Sequence, residues 1–365
     1  MDDQLSGGRS IPVELQQTIR QMPKVELHRH LEGSLRLETL AEIARQHRID
    51  LPGYGVEDIR PLVQMMPHDP PSAAAYLSKF ATLRRFYRSP EIIDRVVYEA
   101  IADAAADGVV YFEMRFTPIA LAREMGFALA DVFRWVLAAA RRGERDTGIT
   151  VRLLVSMNRH ESPEIGAQFV ELAIAHQADG MIVGIDLAGA ERSYHAAPFA
   201  PVFYRARQAG LAVTCHAGEW AGPENVLEAI EMLGAQRVGH GVRVMESQAA
   251  VALARERGVT FEVCPTSNVQ SGVAASWETH PLQAMYQAGL LTSIHTDNTL
   301  VSGITLSEEL IYAAVHLGFT LGDLQRQTLN AARAAFLPAA QRDALVERLK
   351  RAFVGQAAPA SGRSS

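Results

Sequence analysis

Apolar residues along the chain gather into eight short runs, and between most of them apolar positions recur at helical spacing. The first run lies within residues 23–36, PKVELHRHLEGSLR. The other seven are VVYFEMRF (109–116), TVRLLVSM (150–157), MIVGIDLA (181–188), LAVTCHA (211–217), QRVGHG (236–241), VTFEVCP (259–265) and LLTSIHTD (290–297). Runs of this length, bounded by helical stretches that end in glycine, predict strands of a parallel sheet. Strands alternating with amphipathic helices put the chain in the α/β class. Eight such units predict a (β/α)8 TIM barrel, whose reactive groups sit at the C-terminal strand ends. The competing architecture, a doubly wound sheet, more often shows a glycine-rich phosphate loop after its first strand, and none is present.

One connection breaks the regularity. Residues 37–108 are far too many for a simple strand-to-strand crossover, which predicts a helical insertion laid over the mouth of the first strand as a lid. Within it, Leu37 to His47 reads as a helix. Ser72 opens another, in which Tyr76, Phe80, Leu83 and Tyr87 recur at helical spacing as core positions. Leu62, Val63, Met65 and Met66 are the lid candidates, with local packing as the alternative. Residues 12–21 predict a helix across one end of the fold. The expected organisation is a flexible N-terminus at 1–11, one barrel unit over 12–353 and a disordered tail at 354–365.

The strand assignment makes the polar residues informative. Side chains alternate along a strand, so His28 and His30 share a face at the end of the first one. His216 ends the fifth strand, His240 the sixth and Asp297 the eighth. In a closed barrel these ends converge on one mouth. Imidazoles with a carboxylate suit a borderline divalent metal such as zinc, which makes His28, His30, His216 and Asp297 the candidate ligands, with a further position left open for water. Glu219, in His-Ala-Gly-Glu, follows a glycine that permits a tight turn back over the metal, and is the candidate acid or base. His240 lies between glycines that leave room for substrate or water near its ring. His295 shares the inward face of the last strand with Asp297 and is read as supporting the ligands; Ser267 is positioned to orient one of them. His160 either lines the mouth or sits on a surface loop. His47, His68, His176, His195, His280 and His316 fall on helices or loops and read as solvated.

Composition narrows the ligand. The 365 residues carry a net charge of −6 and no long run of like charge, so nothing marks a nucleic-acid or acidic-membrane partner. A small neutral substrate is the expectation. The two cysteines, Cys215 and Cys264, lie in apolar runs and read as buried thiols of a reducing compartment. Without a signal-like N-terminus or a stretch approaching the ~20 apolar residues of a membrane span, the protein is expected to be cytoplasmic.

The stretches VELHRHLEGSLR, DLAGAE (186–191), HAGE (216–219), GHG (239–241), CPTSN (264–268) and TDN (296–298) resemble, in order and strand position, the signatures of the adenosine deaminase family of metal-dependent amidohydrolases. The likeness runs from about residue 22 to 345. It implies one zinc per chain and hydrolytic removal of the 6-amino group of a purine, giving inosine and ammonia from adenosine or 2′-deoxyadenosine. It further implies that His28, His30, His216 and Asp297 bind the metal and that Glu219 protonates the purine ring. His240 and Asp297 orient the attacking hydroxide, and His30, Glu32, Gly189 and Asn298 border the substrate. Relatives with two metals bridge them by a carboxylated lysine. This chain has only Lys24, Lys79 and Lys350, none on the fourth strand, which favours a single metal.

Three positions depart from the pattern. His295 stands where the family usually has asparagine, and Asn298 where it usually has a second aspartate directed at the purine N7. An asparagine amide can donate to that acceptor. Glu32 replaces the aspartate that nucleoside deaminases direct at the ribose 5′-hydroxyl, and free-base adenine deaminases share the glutamate. Adenosine is the expected substrate, with adenine or a 5′-extended adenosine such as aminodeoxyfutalosine as alternatives, and a non-catalytic metal-binding protein as the reading outside enzymes.

Overall fold

Eight parallel strands pair in chain order: β1 (Lys24–His30), β2 (Val109–Phe116), β3 (Thr150–Asn158), β4 (Ile182–Ala188), β5 (Ala212–Ala217), β6 (Arg237–His240), β7 (Thr260–Val263) and β8 (Leu291–Ile294). The computed structural model describes residues 11–354. Beyond β8 the chain closes the circle, since Asp297 N donates to His28 O at 2.9 Å and His30 N donates to Asp297 O at 2.8 Å. The predicted (β/α)8 barrel is therefore the fold, and its seam falls on three of the candidate metal ligands. The flexible N-terminus and disordered tail expected at 1–11 and 354–365 lie, apart from Ile11 and Val354, outside the described residues.

The first strand is shorter than the run that announces it. After His30 the chain enters a single tight turn, Leu31–Gly33, fastened by Ser34 Oγ donating to His30 O at 2.6 Å. A bulge between Glu26 and Arg29 sets three residues of β1 against two of β2. Without the extra residue Glu26 and His28 would share a face; with it, Glu26 turns to Arg29 and Thr296 while His28 and His30 face inward.

Beneath the mouth the barrel interior is not the apolar layering usual for this fold. Glu113, Arg115, Asp186, Arg237 and Glu262 are all buried. Arg237 Nη2 meets Glu113 at 2.6 Å, and Glu262 receives Arg115 at 2.7 Å and Arg237 at 2.5 Å. Such pairs add little net stability, but removing one partner leaves a bare buried charge at a cost of roughly 3–5 kcal/mol. Their consequence here is positional, because the upper members of the network hold the histidines above.

The insertion after β1 contains α2 (Leu37–His47), α3 (Val56–Val63) and α4 (Ala73–Leu83), following the short α1 (Val13–Gln21). Ser72 caps α4 by accepting Ala75 N at 3.2 Å, and Leu83 and Tyr87 are fully buried, as their spacing predicts. The mouth is bordered by Tyr76, Leu77 and Phe80 of α4 and by Arg84 just after it. Leu62, Val63, Met65 and Met66 do not reach it: Val63 and Met65 are buried, and Met65 N bonds Val301 O at 2.8 Å. The expected lid is thus one element later, because α3 spends its apolar face packing on α2 and α4. No helix among the described residues is long and apolar enough to cross a membrane.

Candidate metal centre and active site

The atoms His30 Nε2, His216 Nε2, His28 Nε2 and Asp297 Oδ1 converge at the inner end of the mouth. His30 Nε2 lies 3.2 Å from His216 Nε2, and Asp297 Oδ1 lies 3.4 Å from both His28 Nε2 and His30 Nε2. Zinc–ligand bonds of about 2.0–2.1 Å in a tetrahedral arrangement separate neighbouring ligand atoms by about 3.3 Å, so the spacing fits. The proton arrangement fits as well. His28 Nδ1 faces Glu262 at 2.9 Å and His216 Nδ1 faces Asp186 at 3.0 Å. Each carboxylate takes the ring N–H, which leaves a bare Nε2 lone pair on both histidines. His28 Nε2 has no hydrogen-bond partner among the described residues. Burial holds His30 and His216 below the ordinary histidine range, which favours the neutral form that ligates. At His28 the Asp297 and Glu262 carboxylates outweigh burial and push it up, an attraction for positive charge that a metal cation would equally satisfy. Lone pairs aimed at one another inside a protein call for a cation between them. A divalent metal therefore suits these residues.

Asp297 is prepared from the other side. Ser267 Oγ donates to its Oδ2 at 2.7 Å and Tyr76 OH stands 3.5 Å from the same oxygen, so Oδ1 is the oxygen left to face the histidine cluster. Asp297 and His240 both take positive φ, +62° and +57°, rare for residues with a side chain. The glycine before His240 has a different purpose from the expected one. A Cβ on Gly239 would lie 2.8 Å from His28 Cε1, so the space it leaves is filled by His28 rather than by water or substrate.

Glu219 is buried, with its Oε1 3.6 Å from His240 Nε2. Burial, reinforced by Asp297 and Glu191, pushes its carboxyl well above the usual range, which favours the protonated form. The turn predicted at Gly218 is present, with φ +62°. Its fastening is not visible in the sequence. Glu191, the last residue of DLAGAE, accepts the backbone N–H groups of Gly218 (2.6 Å), Glu219 (3.0 Å), Trp220 (2.8 Å) and Ala221 (3.0 Å). Tyr76 is buried, as its helical spacing predicts, and its hydroxyl also reaches Asp297 and Asn298.

Above these groups is a cavity of about 280 Å³ bordered by His30, Glu32, His160, Gly189, Glu219, His240, Asp297 and Asn298. That is near the lower end of small-molecule pockets, about 300–1,000 Å³. Glu32 Oε1 accepts Thr117 N at 2.6 Å, and burial pushes its carboxyl up to about 7. Gly189 has φ +92° and stands against His160. Asn298 donates its Nδ2 to Tyr76 OH at 3.2 Å, while its Oδ1 has no partner among the described residues. Tyr76 thus uses one of the two amide hydrogens, and the second remains available to a purine acceptor.

Two histidine expectations are overturned. His295 does not face the mouth; β8 ends at Ile294, and its ring turns to Glu26 (3.2 Å) and Ser293 (2.8 Å). Strict alternation fails there because the chain leaves the strand to form the barrel seam. His280 is buried, 4% exposed, and bonded to Asn268, whereas His47, His68, His176, His195 and His316 keep solvent contact. Cys215 and Cys264 are buried free thiols, as expected. Lys24 caps Arg20, Met22 and Asp107 carbonyls, and Lys79 pairs with Asp69, so neither can bridge metals at the mouth.

A cluster that could hold a metal at the C-terminal end of a parallel barrel, next to a buried acid, is the arrangement of a metal-dependent hydrolase. Comparison with known proteins specifies the family. The chain belongs to the adenosine deaminase family, whose model, described as adenosine deaminase, matches residues 23–352. It is 37% identical over 329 residues to the adenosine deaminase of Serratia proteamaculans, covering 90% of this chain and 98% of that one. Among solved structures it is similar to the adenine deaminase of Arthrobacter aurescens (26% identity, TM-score 0.84, 92% and 99% coverage). It is equally similar to a zinc-bound amidohydrolase of Burkholderia ambifaria (27% identity, TM-score 0.85, 97% and 98% coverage).

Proposed function

We propose that the protein hydrolyses adenosine and 2′-deoxyadenosine to the corresponding inosines and ammonia, in the cytoplasm and with one zinc per chain. The reading rests on a single observation: the buried acid Glu219 lines one small cavity with His30, His216 and Asp297, three of the four residues, with His28, whose ligand atoms converge. These four residues would hold the zinc, which when bound lowers the pKa of water to about 7. The protein's own groups supply the rest. An aminopurine C6 resists attack until a neighbouring ring nitrogen is protonated, and Glu219 is the proton source. His240 and Asp297 orient the attacking water against that carbon. Addition at C6 followed by departure of the amino group as ammonia completes the exchange of N for O.

The nucleoside is supported by the Gly-Ser-Leu-Arg stretch after Glu32, and Glu32 itself is compatible with it. With Oε1 occupied by Thr117 N, its other oxygen remains to meet a ribose hydroxyl. A second reading is supported by the same residue, because glutamate at this position also suits adenine. A 5′-extended adenosine is supported by Arg84 at the cavity rim. The deciding measurement is kcat/KM of the zinc-loaded protein for adenosine, 2′-deoxyadenosine, adenine and 5′-extended adenosines, followed by the ultraviolet change on deamination. Adenosine is expected to lead. A tenfold preference for adenine, about 1.4 kcal/mol of transition-state binding, would overturn the choice.

A further inference from the structure

We propose that His280 and Asn268 are positioning residues which fix the tautomer of His240, holding the proton on Nε2 so that this ring presents a donor to the mouth. Leu282 N, a backbone donor, lies 3.1 Å from His280 Nδ1, so that nitrogen is the acceptor and the ring proton is on Nε2. His280 Nε2 then donates to Asn268 Oδ1 at 3.1 Å, which fixes the orientation of the amide. The other end of the amide, Nδ2, donates to His240 Nδ1 at 3.0 Å. His240 Nδ1 is thereby an acceptor, and its Nε2 carries the hydrogen toward Glu219.

Each link has one assignment because the one before it has one. The chain is also sealed: Asn268 is fully buried and His280 nearly so, so water cannot substitute for a missing partner. Burial pushes His280 down to about 3, which keeps it neutral throughout the range where an enzyme works. The relay spans β6, the helix after β7 and the loop ahead of Leu282, three segments that no local motif would connect. Its chemical consequence rests on the deaminase reading. An Nε2–H donor orients the attacking oxygen through its lone pair and takes no proton from it, so His240 acts by orientation rather than as the initial base.

The test reads the tautomer directly. Nitrogen-15 chemical shifts of labelled histidines in the zinc-loaded protein, without substrate, are expected to show His240 with a protonated Nε2 and a bare Nδ1. A proton on Nδ1 in the wild type would overturn the assignment. In His280→Ala the amide is free to invert, and a population of Nδ1–H is expected. Turnover should fall about tenfold or more at little-changed KM and one zinc per chain. His280→Gln, whose amide can accept from Leu282 N and donate to Asn268, should restore both. An unaltered single tautomer in His280→Ala would also sink the idea. Should that variant not fold, the near-isosteric Asn268→Asp asks the same question, since two acceptor oxygens must draw a proton onto His240 Nδ1. Because no substrate enters the measurement, loss of the deaminase reading and loss of the relay are separate outcomes.

Discussion

Glu191 Oε2 accepts the backbone N–H of Glu219 at 3.0 Å, so one carboxylate aims another without touching its side chain. The same group collects the N–H donors of Gly218, Trp220 and Ala221 and the Asn225 amide, and this determines where Glu219 can point. Glu191→Gln keeps the volume but turns an NH₂ toward donors. Zinc content should be unchanged while kcat drops by about 100-fold, the scale of an ångström-level misplacement of a catalytic group. Near-normal kcat in a zinc-replete variant would remove Glu191 from this role.

The strand runs and the order of the polar strand ends carried the barrel and the four converging ligand positions, because period-2 alternation is a local property that a sequence displays. What escaped were features that depend on distant partners. Nothing in DLAGAE says that Glu191 caps a turn beyond the next strand, and nothing in Glu-Thr-His-Pro says that His280 reaches Asn268. His295 departs from its expected facing for a related reason: strand alternation stops at Ile294, where the seam with β1 takes over. Glu113, Arg115 and Glu262 look like ordinary strand charges until the barrel closes around them.

The metal site should depend on the carboxylates that hold its histidines. Asp186 faces His216 Nδ1 at 3.0 Å and receives Ser156 Oγ at 2.9 Å. Asp186→Asn removes the charge that favours a bare Nε2 on His216. Zinc affinity should fall about 10–100-fold with circular dichroism unchanged. Metal analysis of the wild type should give one zinc per chain, and two at full occupancy would contradict the reading from the missing bridging lysine.

Glu219→Gln separates ligation from proton transfer. Glutamine preserves the shape but has no acidic proton to deliver, and the convergent metal ligands are untouched. The variant should bind one zinc and lose at least about 100-fold in kcat. If turnover stays near normal with zinc in place, the proton comes from elsewhere.

The last expectation concerns stability, and comes from Glu309. Its carboxylate is fully buried, accepting Thr266 N at 2.7 Å and Thr266 Oγ1 at 2.5 Å. Burial, with Glu26 and Asp297 nearby, pushes it up to about 8. An unfolded glutamate titrates near 4.3, so between these values the folded chain retains a proton that the unfolded chain has released. Folding stability from this group is therefore complete at low pH and declines as pH rises toward about 8. Glu309→Gln is uncharged throughout and can still bond Thr266. Its Tm relative to wild type should rise between about pH 5 and pH 8.5, the window set by those two pKa values. Thermal unfolding of both zinc-loaded proteins across that range measures the difference, and a constant offset would show that Glu309 is ionised in the fold.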